Sequence, residues 1–439
     1  MDGLAQLQSS SSELTAAIQV LVTHCQDNSG PARDGTSQPL VSPEDPSDVI
    51  SAKQSILAAI SRIQTLLSGP VDFVQQLASQ SQLLACMQWF GDFQVLACIP
   101  LSGSVPLRDV SELAGVPESQ LSRIVRMTAT AGFLREPQPD HVAHTALSAQ
   151  FVLKPSYLDA AMFLAGTAVP AALKMPIATQ RFGHSCETNE SAYNLAFNTS
   201  TTFSSSCEQR KKLQRQWSAY LRYVTDQWDD GVGHILKSFD PLRLANASVV
   251  EVGATSTEGA AALLNLNSTL RIVMQISPRK ASTNGSSAFD ERCLLDPRVS
   301  MQQRLPGTPQ TVRDASVYIL HLPSALSNTP SNARAARIAA EISAHVDVLR
   351  ANTSAALLIP TTHLVPNPGA AEPGVESTAR QRDLTVLQLF NCCEMEMSEF
   401  TTMLNGTSDS LGRLVVVNKL RSSNGAPVAL ELRYRLYTG

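Results

Sequence analysis

The spacing of apolar residues divides the chain into a helical half and an alternating half. Leu14, Ile18, Leu21 and Val22 share one face of a helix predicted over Glu13–Cys25, with Ser9–Ser12 as its N-cap. Ile56, Ile60, Ile63 and Leu67 form a second stripe, broken by Gly69-Pro70. From Val71 to Ile99 the apolar residues run round most of the circumference: Phe73, Leu77, Leu83, Leu84, Met87, Phe90, Val95, Leu96. A helix without a polar face is buried, inside one chain or against a second copy. Between Leu107 and Phe133 two short helices are expected. Gly115 makes the turn, Pro117 opens the second helix, and Leu121, Ile124, Val125 and Thr128 follow at helical spacing. Leu134–Pro137 and Val142–Thr145 are expected to pair as a wing. Tyr157–Leu173 is a further apolar helix, Arg181–Phe203 caps a pocket, and Lys211–Phe239 is amphipathic, with Trp217, Tyr220, Leu221, Val224 and Trp228.

From Ser248 onward the period changes. Strands are predicted at Val249–Val252, Leu270–Ile276, Ala315–Leu320, Ala355–Ile359, Arg413–Val417 and Leu430–Leu436. Helices are predicted between them, at Asn332–Arg350 and Asp383–Asn391. That alternation argues a largely parallel sheet. A hairpin at Asn424-Gly425 closes it with antiparallel strands. The expected fold class is a mainly α N-terminal part with a winged helix, then an α/β Rossmann-like domain. Four stretches result: an N-terminal helix and linker (1–48), a helical dimerisation region with the winged helix (49–150), a helical connecting region (151–245) and the Rossmann-like domain (246–439).

At 439 residues, 43% of them hydrophobic, the chain can build two or three cores. Its net charge of −4 supplies no general attraction to nucleic acid. None of the eight cysteines forms a CxxC pair, so no zinc site is readable, and Cys392-Cys393 reads as two small apolar residues on a helix. No secretory leader or apolar run of about 18 residues is seen, and a soluble, reduced, intracellular protein is expected.

The candidate chemistry centres on Ser248–Gly259. Val249-Val250-Glu251-Val252 ends at Gly253 and leads into a helical segment, the step at which a doubly wound domain holds a nucleotide-like cofactor. Close approach of backbone N–H groups to such a ligand needs several glycines. After Gly253 come Ala254, Thr255, Ser256 and Thr257, and β-branched residues resist positive φ. Gln275 ends the second strand and His321 follows the strand Val317–Leu320. In the predicted winged helix only Arg123 and Arg126 are candidate DNA contacts. Glu118 stands where a phosphate would approach, so packing and dimerisation compete with groove reading. Arg210, Lys211, Lys212 and Arg215 form the densest basic cluster, read either as a solvated face or as an import or partner-docking patch.

From Gly69 to Tyr437 this arrangement resembles the plant- and fungal-type O-methyltransferases. In that family the first strand runs into a triple-glycine loop. Here Glu251-Val252-Gly253 matches the opening, while Ala254, Thr255 and Thr257 occupy the other glycine positions. Gln275 stands where an acid binds the ribose hydroxyls, without the charge to accept from both. The family's base lies in a Leu-His-Asp-Trp box. His321 comes several residues early, without the Asp or Trp, and reads as structural. The Asp-Leu-x-x-Leu…Glu-Arg-Thr stretch survives as Asp383-Leu384, Leu387 and Glu394, with Met395 and Glu396 in place of Arg-Thr. Leu83–Cys86, Phe93–Pro100, Gly132–Leu134, His141–His144, Gln180–Gly183 and Ala429–Arg435 narrow the match. The chain is similar to methyltransferase-like transcriptional coactivators of fungal aromatic polyketide clusters, the aflatoxin and monodictyphenone type. That resemblance implies no catalysis, no cofactor and no metal. It also implies a nuclear location, a homodimer, and a zinc-cluster DNA-binding factor as partner through which DNA is reached. An active S-adenosylmethionine-dependent O-methyltransferase and a protein binding DNA directly remain the alternative expectations.

Overall fold

The computed structural model describes residues 2–27, 41, 45–224, 247–254, 256–266, 269–277, 291–323, 331–360, 364–421 and 427–437. They form two compact units: Met1–Leu173 with Ser205–Val224, and Lys174–Ser204 with Thr225–Gly439.

The first unit is mainly helical. Helix α1 (Asp2–Asp27) runs much longer than the predicted Glu13–Cys25. The serines expected to cap it lie inside it, and Ser12 Oγ donates to the Gln8 carbonyl at 3.0 Å, which satisfies that hydroxyl within the helix. Helix α1 pairs with α2 (Ser47–Leu67) as a hairpin. Helix α3 (Pro70–Asp92) follows, with Gly69 N donating to Asp72 Oδ2 at 2.8 Å across its first turn. The expected single helix to Ile99 instead stops at Asp92, and a 3-10 turn covers Val95–Cys98. Only the C-terminal half of α3 enters the core, through Cys86 and Phe90. Phe90 packs there with Val95, Leu96, Leu107, Val110, Leu121, Val125 and Phe133.

Helices α4 (Leu107–Ala114) and α5 (Glu118–Ala129) meet at Gly115, whose φ of 66° is the left-handed conformation glycine adopts without a Cβ penalty. A three-stranded antiparallel sheet lies beside them, in the order β1 (Val105–Pro106), β3 (His141–His144), β2 (Leu134–Arg135). The expected β2–β3 pairing forms, with Leu134 opposite His144. Strand β1 has no apolar run and was not predicted. The apolar helix after Tyr157 is not continuous: Leu164–Ala168 is a π-turn between α-helical Ser156–Phe163 and Val169–Ala172. Helix α6 (Lys211–Val224) packs on Ser156–Phe163 through Phe163, Trp217 and Tyr220. The remainder of the predicted Lys211–Phe239 helix, with Trp228, lies outside the described residues.

The second unit is built on a seven-stranded sheet in the order β11-β12-β8-β7-β4-β5-β6. Its strands are β4 (Ser248–Val252), β5 (Arg271–Ile276), β6 (Val299–Gln303), β7 (Val317–Leu320), β8 (Ala356–Pro360), β11 (Gly412–Arg421) and β12 (Pro427–Leu436). Pairing is parallel from β6 to β8, and β12 and β11 join antiparallel. The turn at Asn424-Gly425 lies outside the described residues. Two short strands, β9 (Leu364–Val365) and β10 (Met395–Glu396), pair separately.

Strands β4, β7 and β8 are buried on both faces, which explains the unbroken apolar runs of β7 and β8 and the run of β4, interrupted only by Ser248 and the buried Glu251. On one face lies α7 (Glu258–Leu266), with Ala260 and Leu263 against Val249, Ile272 and Ile319. On the other lie α8 (Ser331–Ser343), α9 (Val346–Ala351) and α11 (Met397–Asn405), bringing Ile338, Ile342, Leu349 and Phe400 against Val250, Tyr318 and Leu357. The predicted Asn332–Arg350 helix is thus two helices. The predicted Asp383–Asn391 helix is the last half of α10 (Pro373–Phe390). Helix α10 ends on Asn391 at φ 51°, so Cys392 and Cys393 follow the helix instead of lying on it.

Candidate functional site

At the C-terminal ends of β4, β5 and β7 the chain turns as the sequence predicts. Gly253 has φ 79°, and its N–H donates to the Gln275 carbonyl at 2.9 Å. The positive φ is what calls for glycine here; a Cβ would only touch the His321 carbonyl, at 3.4 Å. Ala254 is buried, as is Thr257. Thr255 lies outside the described residues.

Glu251 is buried at the end of β4, and its Oε1 lies 2.9 Å from His321 Nε2. The carboxylate rests against the first turn of α7: a Cβ at Gly259 would come within 2.4 Å of Oε1. His321 is therefore not solitary at its strand end. It holds a carboxylate seventy residues earlier, a pairing that sequence spacing does not carry.

The side chain of Gln275 turns inward and is 1% exposed. Its Nε2 donates to Gln310 Oε1 at 2.7 Å, and Gln310 Nε2 donates back to Gln275 Oε1 at 3.0 Å. Gln310 is orientated by Val312 N–H, which donates to its Oε1 at 3.1 Å. Gln310 Nε2 also lies 3.2 Å from His345 Nε2, while His345 Nδ1 sits 2.7 Å from the Glu341 carbonyl. That carbonyl only accepts, so Nδ1 carries the proton and Nε2 accepts from Gln310. His345 is fully buried, and burial lowers its pKa, consistent with a neutral ring. Glu341 continues the network to Arg304 and to the Gly307 N–H. Neither Gln310 nor His345 was singled out in sequence, where no period links them to β5.

Glu394 is buried beside Arg382 of α10, with 2.6 Å between Arg382 Nε and Glu394 Oε2. Its N–H donates to Asp383 Oδ1 at 2.7 Å. Burial raises the Glu394 pKa and the Arg382 guanidinium opposes that rise. The space between Leu322, Pro323, Arg334 and Glu394 is about 10 Å³, room for roughly one water.

In the first unit, Arg123 is exposed on α5. Arg126 is engaged: its Nε and Nη2 donate to the two Glu136 oxygens, both at 2.9 Å, and Nη2 reaches Asp140 Oδ1 at 3.2 Å. The hydrogen bond from Arg126 holds the Glu136 carboxyl down at about 2. In the basic cluster Arg210, Lys211 and Lys212 are exposed, whereas Arg215 forks onto Asp159 at 2.8 and 2.9 Å. The candidate residues thus occur in separate groups: Gly253, Ala254, Thr257 and Gln275 about one sheet end, Arg123 and Arg126 on α5, and the basic cluster at the start of α6.

Residues 4–68 match the family profile described as the trypacidin cluster transcriptional coactivator tpcD N-terminal domain. Over its full length the chain is 47% identical to the monodictyphenone cluster transcriptional coactivator mdpA of Emericella nidulans, covering 99% of that protein. It is 42% identical to the trypacidin cluster transcriptional coactivator tpcD of Aspergillus fumigatus, with 100% of this chain and 98% of that protein covered. Among solved structures, OxaC in complex with SAH and oxaline superposes with a TM-score of 0.60 at 16% identity, covering 99% of this chain and 100% of OxaC. The mitomycin 7-O-methyltransferase MmcR gives 0.57 at 19% identity, over 83% of this chain and 97% of the enzyme. At such identity these structures speak for the fold alone: a mainly helical N-terminal region, then a mixed-sheet domain like that of the O-methyltransferases. Full-length identity above 40% is decisive for kinship, and the chain belongs to the family of methyltransferase-like transcriptional coactivators of fungal polyketide clusters.

Proposed function

We propose that this chain is a non-catalytic transcriptional coactivator that assists a zinc-cluster DNA-binding factor in switching on a fungal polyketide gene cluster, of aflatoxin or anthraquinone type, in the nucleus. The observation that carries this reading is its full-length similarity to proteins named as coactivators of such clusters.

The site supports the non-catalytic part. Gln275 stands where the related enzymes place their ribose acid, yet its amide is spent on Gln310 inside the protein. Ala254 and Thr257 stand at glycine positions and are buried. These residues do not fit S-adenosylmethionine, and no step is assigned to it.

Helices α4 and α5 with the β1–β3 sheet are read as a winged helix used for packing and dimerisation. Of its two candidate DNA contacts, Arg126 is already bonded to Glu136 and Asp140. DNA is then reached through the partner, and the chain acts as a homodimer. Arg210, Lys211 and Lys212 are the proposed import or partner patch. The working division is residues 1–48, 49–150, 151–245 and 246–439.

The test is a mobility-shift titration on a cluster promoter, with and without the zinc-cluster activator. The expected result is no sequence-specific shift by this protein alone, and tighter binding by the activator when it is added, because a protein that binds the DNA-competent form stabilises it. A specific shift by this protein alone would favour direct DNA binding.

A further inference from the structure

A larger cavity lies in the sheet domain, away from Gly253 and Gln275. Strand β12 sets Leu432 opposite Leu357 of β8, so Tyr434 lies beyond the first residue of β8. There Tyr434 Oη donates to Asp409 Oδ1, at the edge of the cavity. This is the N-terminal end of the parallel strands, whereas the crevice for a cofactor opens at their C-terminal ends. The cavity measures about 520 Å³, within the range of ligand-sized pockets. Its base is apolar: Val346 of α9 and Met403 of α11 are half-buried and pack on the sheet core.

The polar groups above that base are acceptors. Thr402 Oγ1 donates to the Ser398 carbonyl at 2.9 Å and Thr407 Oγ1 to the Met403 carbonyl at 3.1 Å, so both hydroxyl protons are spent and lone pairs are left for the groove. The hydrogen bond from Tyr434 holds the Asp409 carboxyl down at about 2, which keeps it ionised. Asp347 has a side chain 71% exposed, and its Oδ2 accepts from no described residue. Helices α8 and α11 both end at the groove, at Ser343 and beside Gly406, and a helix C-terminus carries partial negative charge. Arg350, the cation of the lining, is divided between the two carboxylates, with Nη1 2.8 Å from Asp409 Oδ2 and Nη2 2.8 Å from Asp347 Oδ1. Such a wall is complementary to a further positive charge that brings several N–H donors on an apolar stem.

We infer that this groove receives a lysine or arginine side chain of the DNA-binding partner, its stem on Val346 and Met403 and its head against Asp347 and the threonine oxygens. This rests on the partner reading above and names the surface that serves it. A protein that neutralises phosphates is rich in lysine and arginine. It meets the acceptor-lined groove with opposite charge, and the exposed cluster of Arg210, Lys211 and Lys212 with like charge. Docking therefore falls to the sheet domain, and the basic cluster is left for import.

Calorimetric titration of the zinc-cluster activator into the full-length protein tests this, with Ser343→Lys/Asp347→Lys in the groove and Arg210→Ala/Lys211→Ala/Lys212→Ala in the cluster. These side chains are all exposed, so replacing them leaves the core intact. The groove variant should bind at least about tenfold more weakly, because like charges are then set together, and the cluster variant as tightly as the unmodified protein. Equal affinity for the groove variant and the unmodified protein would overturn the groove and leave the coactivator reading standing. A loss confined to the cluster variant would overturn it in favour of Arg210, Lys211 and Lys212. No binding by the unmodified protein would overturn the groove and the partner reading together. Hydrogen exchange on the unmodified protein is a second readout that does not depend on a variant folding: the activator should slow the amides of residues 339–350 and 402–409. Slowing there by free spermidine, with none by the activator, would give the groove to a small amine and overturn the protein partner.

Discussion

Gln275 and Gln310 exchange two side-chain hydrogen bonds, at 2.7 and 3.0 Å, thirty-five residues apart and shielded from water. Two primary amides are suited to this, since each donates and accepts in one plane. The Val312 N–H fixes which way Gln310 faces. Gln275→Glu should therefore set a carboxylate against the Gln310 carbonyl oxygen and cost about 1–3 kcal/mol, the range for a buried polar group left unsatisfied. A protonated carboxyl at 275 would donate again. Its folded-state pKa would lie above the ordinary carboxylate value, so the loss should grow as pH rises through that window and shrink on acidification. Thermal melts of the variant and its parent at acidic and neutral pH check this. A pH-independent loss would mean that something other than the lost donor is responsible.

S-adenosylmethionine should not bind with a low-micromolar dissociation constant by calorimetry. Ala254→Gly with Thr257→Gly should not restore turnover, because Gln275 remains committed to Gln310. A strong binding isotherm for the unmodified chain would overturn the non-catalytic reading.

Arg382 and Glu394 form a buried ion pair. Arg382→Met leaves a buried carboxylate without its counter-charge and should cost about 3–5 kcal/mol. Adding Glu394→Leu should return part of that loss. Because burial raises the Glu394 pKa, the folded state binds its proton more tightly than the unfolded chain. Its contribution is favourable at low pH and is lost as pH rises from the ordinary carboxylate value towards the raised one. Denaturant titrations across that range should show a flatter profile for Glu394→Gln. An unchanged slope would place the titration elsewhere.

Gly259→Ala should displace Glu251 from the first turn of α7 and loosen its contact with His321, since the new Cβ would meet Oε1. The expected loss is about 1–3 kcal/mol, as for overpacking a filled interior. Gly166→Ala, with open space around the added methyl, is the control for a glycine replaced without a clash.

Arg123→Ala with Arg126→Ala should leave promoter activity largely intact in a reporter assay. Loss of occupancy by a folded, partner-competent double variant would return DNA contact to α5. The carboxyl of Glu136, held at about 2 by Arg126, contributes stability above its ordinary value that is lost as pH falls towards 2. Removing Arg126 should flatten that acid limb.

The sheet was legible because β4, β5, β7 and β8 are buried and leave apolar runs, and Gly115 and Gly253 were legible because only glycine enters those conformations at no cost. Strand β6 was not: Val299-Ser300-Met301-Gln302-Gln303 is an exposed edge with no apolar alternation. The full extent of α1 was hidden by the run Ser9–Ser12, which reads as a cap until Ser12 is seen donating to the Gln8 carbonyl. The polar relay through Gln310 and His345 is a tertiary fact, written in no local period.

The clamp of Glu136 and Asp140 on Arg126 bears on ionic strength. A cation that neutralises a DNA phosphate displaces a condensed counterion, adding about 0.9 to the slope of log affinity against log salt. Arg126 is already neutralised within its own chain, so it displaces none. Arg126 itself then adds nothing to the salt slope of DNA binding, and Arg126→Ala should leave that slope unchanged.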